Sequence, residues 1–213
     1  MTTPSYVLTY DSLSSLVLQY LERSDPAVVD FIPTAITMAE FEIAQEIKTL
    51  GQMEVVTSNM TSNNPVIAKP ARWRKTVSMT LTTGENTKQP IYLRKLEYLS
   101  SYWPDVTAVD TPLYYADYDY DHWFVAPTPG GPYAFEALCY TRLPPLSSTN
   151  QTNWLTQNAP NAMLFGTLKQ TAPFLKDDAR LAVWAQLFTE AMTALKSEDA
   201  LRIGDRQTVA QDS

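Results

Sequence analysis

Cysteine and histidine are almost missing from this sequence: among 213 residues there is one of each, Cys139 and His122. A lone cysteine cannot close an intrachain disulfide, and a lone histidine forces any triad or zinc site through one position. A disulfide scaffold is thereby excluded, and a reducing compartment suits the chain. Basic residues are the minority charge, 16 against 23 acidic, which leaves a net charge of −7. Capture of DNA through its phosphates needs the opposite sign, so specific affinity for nucleic acid is not expected. An acidic wall can still surround DNA that passes without sticking. Nowhere do about 18 apolar residues follow one another, and Met1 to Tyr10 has no basic patch leading into an apolar core. Neither a membrane span nor a secretory leader is expected. Two nucleotide and hydrolase signatures are absent as well: no Gly-x-Ser-x-Gly elbow occurs, and Gly84-Glu85-Asn86-Thr87-Lys88 lacks phosphate-loop spacing.

What is there describes a folded chain. Hydrophobic residues make up 45 % and charged ones 18 %, far from the composition of disorder. A chain of this length buries roughly 70 % of its unfolded surface. Leu13, Leu16, Val17, Tyr20 and Leu21 recur at helical spacing, with Thr9 or Asp11 as cap. Asp25-Pro26 opens a second helix, in which Ile32, Ile36, Ala39, Ile43 and Ile47 keep the period until Gly51; Pro33 is expected to kink or divide it. A later helix spans Pro160 to Gln170. From Asp177 to about Leu201 the stripe Leu181, Trp184, Leu187, Phe188, Ala191 and Leu195 gives the strongest helical signal.

Between these helices the period changes to two. Val77, Met79 and Leu81 alternate, and Ile91–Leu93, Trp123–Val125 and Tyr133–Tyr140 read as strands. The run from Pro127 to Pro132 predicts a turn that makes the last two a hairpin. Leu96, Leu99, Tyr102 and Trp103 suggest a short helix among the strands. The expected class is α+β: a helical bundle from residues 1–51 and 151–200, an inserted antiparallel β-sandwich-like module over 52–150, and an extended polar C-terminal arm over 201–213.

Chemistry is sparse. Asp117, Asp119, Asp121 and His122 could in principle hold a cation or move a proton. Calcium-loop grammar needs a glycine and a later glutamate where His122 and Thr128 stand. A solvated acidic hairpin edge is the simpler reading. Cys139 lies in an alternating strand pattern that suits an inert, packed thiol. Arg72, Trp73, Arg74 and Lys75 are the one basic cluster, suited to surface or subunit-interface pairing and secondarily to contact with DNA. No catalytic residue, metal site or cofactor is assigned. The aromatic stretch Tyr114 to Trp123 offers rings that could stack on sugars.

Several runs carry a family likeness. Thr111-Pro112-Leu113-Tyr114-Tyr115, Ala126-Pro127-Thr128-Pro129 and Tyr140-Thr141-Arg142-Leu143-Pro144-Pro145-Leu146-Ser147 resemble the β module of head-to-tail adaptor (connector) proteins of tailed dsDNA bacteriophages. Asn153-Trp154-Leu155, Asn158-Ala159-Pro160-Asn161-Ala162-Met163-Leu164 and Pro173-Phe174-Leu175-Lys176-Asp177-Asp178 resemble the family's helical return. Thr9 to Leu13 and Ala39 to Ile43 fit its opening helices. The resemblance implies a structural, non-enzymatic subunit of the virion neck, assembled in the host cytoplasm. It implies a ring of typically twelve copies between the portal protein and a tail or nozzle protein, with DNA passing through the lumen. It also implies that the C-terminal segment reaches the portal, so Leu201, Arg202, Ile203 and Arg206 are candidate portal-binding residues. A carbohydrate- or receptor-binding tail module is the alternative.

Overall fold

In the computed structural model, residues 7–84, 87–176 and 178–209 are described. The chain forms two units: one joins residues 1–51 to 143–213, the other is 52–142.

The helical unit begins with α1 (Tyr10–Leu21), whose N-cap Thr9 accepts from the Ser12 amide while the Ser12 hydroxyl accepts from the Thr9 amide. This reciprocal capping satisfies donors the first turn leaves open. Leu13, Val17 and Leu21 are buried along one stripe; Tyr20 points outward. Helix α2 (Pro26–Glu46) is a single element with Pro33 inside it, so the expected division does not occur. Pro33 is exposed and removes one bond from a 21-residue helix whose Ile32, Ile36, Ala39 and Ile43 are held in the core. The helix stops at Glu46, five residues before Gly51.

Helices α4 (Trp154–Asn158), α5 (Pro160–Leu175) and α6 (Asp178–Val209) complete this unit. Helix α5 packs against α1, α2 and α6. At the crossing, a Cβ on Gly166 would stand 3.0 Å from the Phe188 ring and 3.3 Å from Ala39. The missing side chain lets three helices approach closely. The segment expected as an extended arm continues α6 to Val209. Ala200, Leu201, Arg202, Arg206 and Gln207 are good helix formers, and Gly204 alone does not stop them; residues 210–213 lie outside the described part.

The β unit is a curled mixed sheet in the order β1-β9-β3-β4-β6-β7-β2. Its strands are β1 (Met53–Asn59), β2 (Val66–Ala68), β3 (Trp73–Thr83), β4 (Thr87–Leu93), β6 (Tyr114–Asp117), β7 (His122–Ala126) and β9 (Ala134–Thr141). The short strands β5 (Val109–Asp110) and β8 (Thr128–Pro129) pair separately. Helix α3 (Leu96–Tyr102) falls where its spacing placed it.

Two sequence expectations are corrected in this unit. First, β4 and β6 run parallel, Tyr92 against Tyr114, so the sheet is not purely antiparallel. Second, β7 and β9 form no hairpin: β7 pairs with β6 and β2, while β9 pairs with β1 and β3. The proline-rich run carries the chain from one wing of the sheet to the other, and β8 docks on β5 on the way. The wings meet face to face, with the Trp123 ring edge-on to Phe135 at 6.3 Å. A β-bulge between Thr76 and Ser78 turns Val77 outward, although Met79 and Leu81 keep the expected inward alternation.

Candidate interaction surfaces

The acidic residues Asp117 to Asp121 form the tip of a hairpin between β6 and β7. Asp117 ends β6, and the amides of Tyr118 and Asp119 donate to the His122 carbonyl. Asp119 accepts from the Asp121 amide at 2.8 Å and lies 2.9 Å from His122 Nδ1. Burial acts against the charge on Asp119, but the hydrogen bonds from His122 and the turn amides outweigh it and hold its carboxyl below the usual range. The Lys69 side chain, only 2 % exposed, passes beneath: its ammonium meets Asp117 at 2.8 Å, donates to the Asp119 carbonyl at 2.8 Å and sits 3.7 Å over the Trp73 ring. The carboxylates are thus absorbed in holding a turn. Among the described residues no three His, Cys, Asp or Glu side chains are grouped to hold a metal ion.

The aromatic stretch divides sharply by exposure. Tyr118 and Tyr120 stand at the tip, Tyr120 being 63 % exposed. Trp123, by contrast, is fully buried and donates its indole N–H to Thr76 Oγ1 at 3.0 Å. It cannot stack on a sugar, which removes the strongest ring from the carbohydrate reading. A second aromatic group joins Tyr98 and Tyr102 of α3 to Tyr114 of β6, the latter two edge-on at 5.3 Å, with the Arg94 guanidinium 5.5 Å from the Tyr114 ring. Beside it lies an open cleft of about 900 Å³ lined by Leu93, Arg94, Lys95, Leu96, Glu97 and Asp117. Tyrosine and arginine together are the composition of protein-binding surfaces.

Cys139 is buried in β9, and burial pushes its thiol up from the ordinary value. Such a thiol is a poor nucleophile. The basic cluster is only partly available. Arg72 donates to the Arg142 carbonyl at 2.9 Å and approaches Glu54 at 3.4 Å; Arg74 donates to Gln52 at 3.2 Å. Burial and the neighbouring Arg142 charge lower the Arg74 pKa. Lys75 is exposed.

On the helical unit, Leu201, Arg202, Ile203 and Arg206 fall on the last turns of α6, beyond Leu195, the last buried residue among those whose side chains are described. Their side chains lie outside the described part. One surface escaped the sequence reading. Helix α2 also carries the bulky apolar residues Phe31, Met38 and Phe41 outside its buried stripe, Phe31 half-buried at the border of it. Phe31 stacks on Phe174 of α5 with ring centres 4.2 Å apart. The available signal was charge: residues 26–39 contain a single ionisable side chain, Asp30, too few for a helix with only one covered face.

The model of the SU10 adaptor protein family matches residues 8–210, nearly the whole chain and both units. The chain belongs to that family. No curated protein matches the sequence. The SU10 adaptor family is a phage head-tail adaptor family, so this chain is a bacteriophage adaptor protein, a virion component that interacts with other head and tail proteins. The family is structural rather than enzymatic. Among the described residues no helix is long and apolar enough to cross a membrane.

Proposed function

We propose that this adaptor forms a ring of about twelve copies in the virion neck, between the portal and a tail or nozzle protein, and that DNA passes through its lumen. The observation that carries the reading is the match of one adaptor family across both units of the chain. A head-tail adaptor joins head to tail, and heterologous contacts that close by rotation are how one kind of subunit makes a ring. The net charge of −7 suits a lumen through which a polyanion slides without specific binding.

Within this reading the units divide the work. The last turns of α6 dock on the portal: Leu201 and Ile203 supply apolar contact, while Arg202 and Arg206 pair with carboxylates. The β unit, with Tyr98, Tyr102, Tyr114 and Arg94 on its surface, faces the tail. Arg72, Arg74 and Lys75 serve a subunit interface or the channel wall. Electron microscopy of the purified protein, with and without portal rings, tests the assembly. A closed ring on the portal is expected; a monomer under both conditions overturns the reading. A chain ending at Ala200 should lose portal binding in a pull-down, and undiminished binding removes the role of the α6 terminus.

A further inference from the structure

The seven-stranded sheet of the β unit ends in two unlike edges, β2 on one side and β1 on the other. Strand β2 is three residues long, begins directly after Pro65 and is followed by Lys69 and Pro70. Short length, proline and lysine are the usual ways of blunting an edge. Strand β1 has none of them. Its seven residues, Met53 to Asn59, pair with β9 in unbroken register. Val55 is 59 % exposed, and the one charge, Glu54, is held by Arg72 and Thr141.

The register fixes which backbone groups face outward. Just past the strand, the Met60 amide donates to the Tyr133 carbonyl, which makes these two a hydrogen-bonded pair. Such pairs alternate along an antiparallel ladder. Glu54, Val56 and Ser58 therefore turn their amides and carbonyls toward β9, while Met53, Val55, Thr57 and Asn59 turn theirs away. Among the described residues nothing bonds to this outer row. At about 3.3 Å per residue the open edge is about 23 Å long.

We propose that β1 is completed in the virion by an extended segment of a different head or tail protein, which adds to the sheet as a further strand. Its backbone supplies the binding, and Val55 offers an apolar contact to its alternate side chains. A second copy of this chain is a poor occupant. The other edge strand, β2, has only three residues, and β5 and β8 have two each. Pairing β1 with β1 engages seven residues a side, where stable interfaces use about 20–30, and it stops at two copies. A foreign strand needs only the free row, and the family's interaction with other head and tail proteins supplies such partners. The inference rests on the neck reading above and gives it a contact.

Photo-cross-linking in virions tests it. A benzophenone amino acid replaces Val55 in the full-length protein during phage growth, and purified virions are irradiated and resolved on a denaturing gel. The expected product is one heavier band that joins the adaptor to a different virion protein, with attachment confined to a single stretch of that protein. Adding Thr57→Pro deletes an outward donor but none of the bonds to β9. The band should then be lost while the purified variant keeps the parent's melting temperature. A band that survives Thr57→Pro means contact without strand pairing and overturns the proposal, as does an adduct between two adaptor copies. If Thr57→Pro itself lowers the melting temperature, Asn59→Pro at the end of the strand makes the same test. Rings seen at the neck without any adduct overturn this contact but leave the neck reading standing. Absence of the parent protein from virion necks removes both.

Discussion

A polar knot in the β unit and one in the helical unit differ in a way that has consequences. In the β unit the hydroxyl of Thr76 accepts from the indoles of both Trp73 and Trp123, each at 3.0 Å. In the helical unit the carboxylate of Glu40 accepts from the Leu146 amide at 3.2 Å and from Asn153 Nδ2 at 2.7 Å. Asn153 in turn caps α4. Thr76 thereby ties the wings of the sheet through a group that never ionises. Glu40 pins the segment leading into α4 through one that does. The comparison teaches that the two units respond differently to pH, although both fold around apolar cores of ordinary composition.

The largest effect is expected where the sheet closes on itself. Trp123→Ala removes the biggest fully buried side chain and should destabilise the β unit by about 3–5 kcal/mol. Urea unfolding followed by near-ultraviolet circular dichroism measures it; a loss under about 1 kcal/mol would mean that the wings are held together elsewhere. Next comes Thr76→Val, which keeps the shape but strands two indole donors. At roughly 1–3 kcal/mol for a fully buried group left unpaired, and less for the half-buried Trp73 indole, about 1–4 kcal/mol is expected. Fluorotryptophan NMR should show the resonances of Trp73 and Trp123 shifting while Trp154 and Trp184, in the helical unit, stay in place. Movement of Trp154 and Trp184 as well would break the separation between the knots.

Much of this arrangement was legible in the sequence, and the failures have physical causes. Helix stripes were readable because packing on one face imposes a 3.6-residue period: Leu13, Val17 and Leu21 sit inside as their spacing requires. The run from Pro127 to Pro132 does not join β7 to β9 as a hairpin, because proline-rich turns announce a change of direction but not which strand is met next. Trp123 lies in a strand as its pattern requires, but it is buried and not a sugar platform, since alternation does not tell which face is covered. Neither knot was visible. Glu40 stands 106 positions from Leu146 and Thr76 stands 47 from Trp123, and no local pattern reports such pairings. The bulky apolar residues outside the buried stripe of α2 were legible in principle, from the helix's lack of charge, but periodicity alone selects the stronger stripe.

Glu40 supplies the pH test. Burial raises its carboxyl from 4.5 to about 7, against the lowering effect of the hydrogen bonds from Leu146 and Asn153. The folded chain therefore holds this proton more tightly than the unfolded one. Its contribution is complete below the ordinary glutamate value and is lost as pH rises towards 7. At about 1.4 kcal/mol for each pH unit, the loss is at most ~3 kcal/mol. Denaturation midpoints measured from pH 4.5 to 8 should fall, and Glu40→Gln should flatten that dependence. An unchanged slope in the variant would transfer the pH response to another group.

Surface charge should matter least, and the basic cluster makes the point within one short segment. Arg72 holds the Arg142 carbonyl and lies beside a half-exposed Glu54, whereas Lys75 projects into solvent. Exposed ion pairs contribute about 0–1 kcal/mol. Lys75→Ala should leave stability within ~0.5 kcal/mol of the parent. Arg72→Ala should cost slightly more, because a carbonyl at the end of β9 loses a charged donor. Both are measured by the same urea titration, ideally at low and high salt, since screening weakens exposed pairs but not the Thr76 and Glu40 knots. If Lys75→Ala instead lowered stability as far as Thr76→Val, the contrast between buried knots and solvated charge would fail, and the foot of β3 would belong to the interior of its unit.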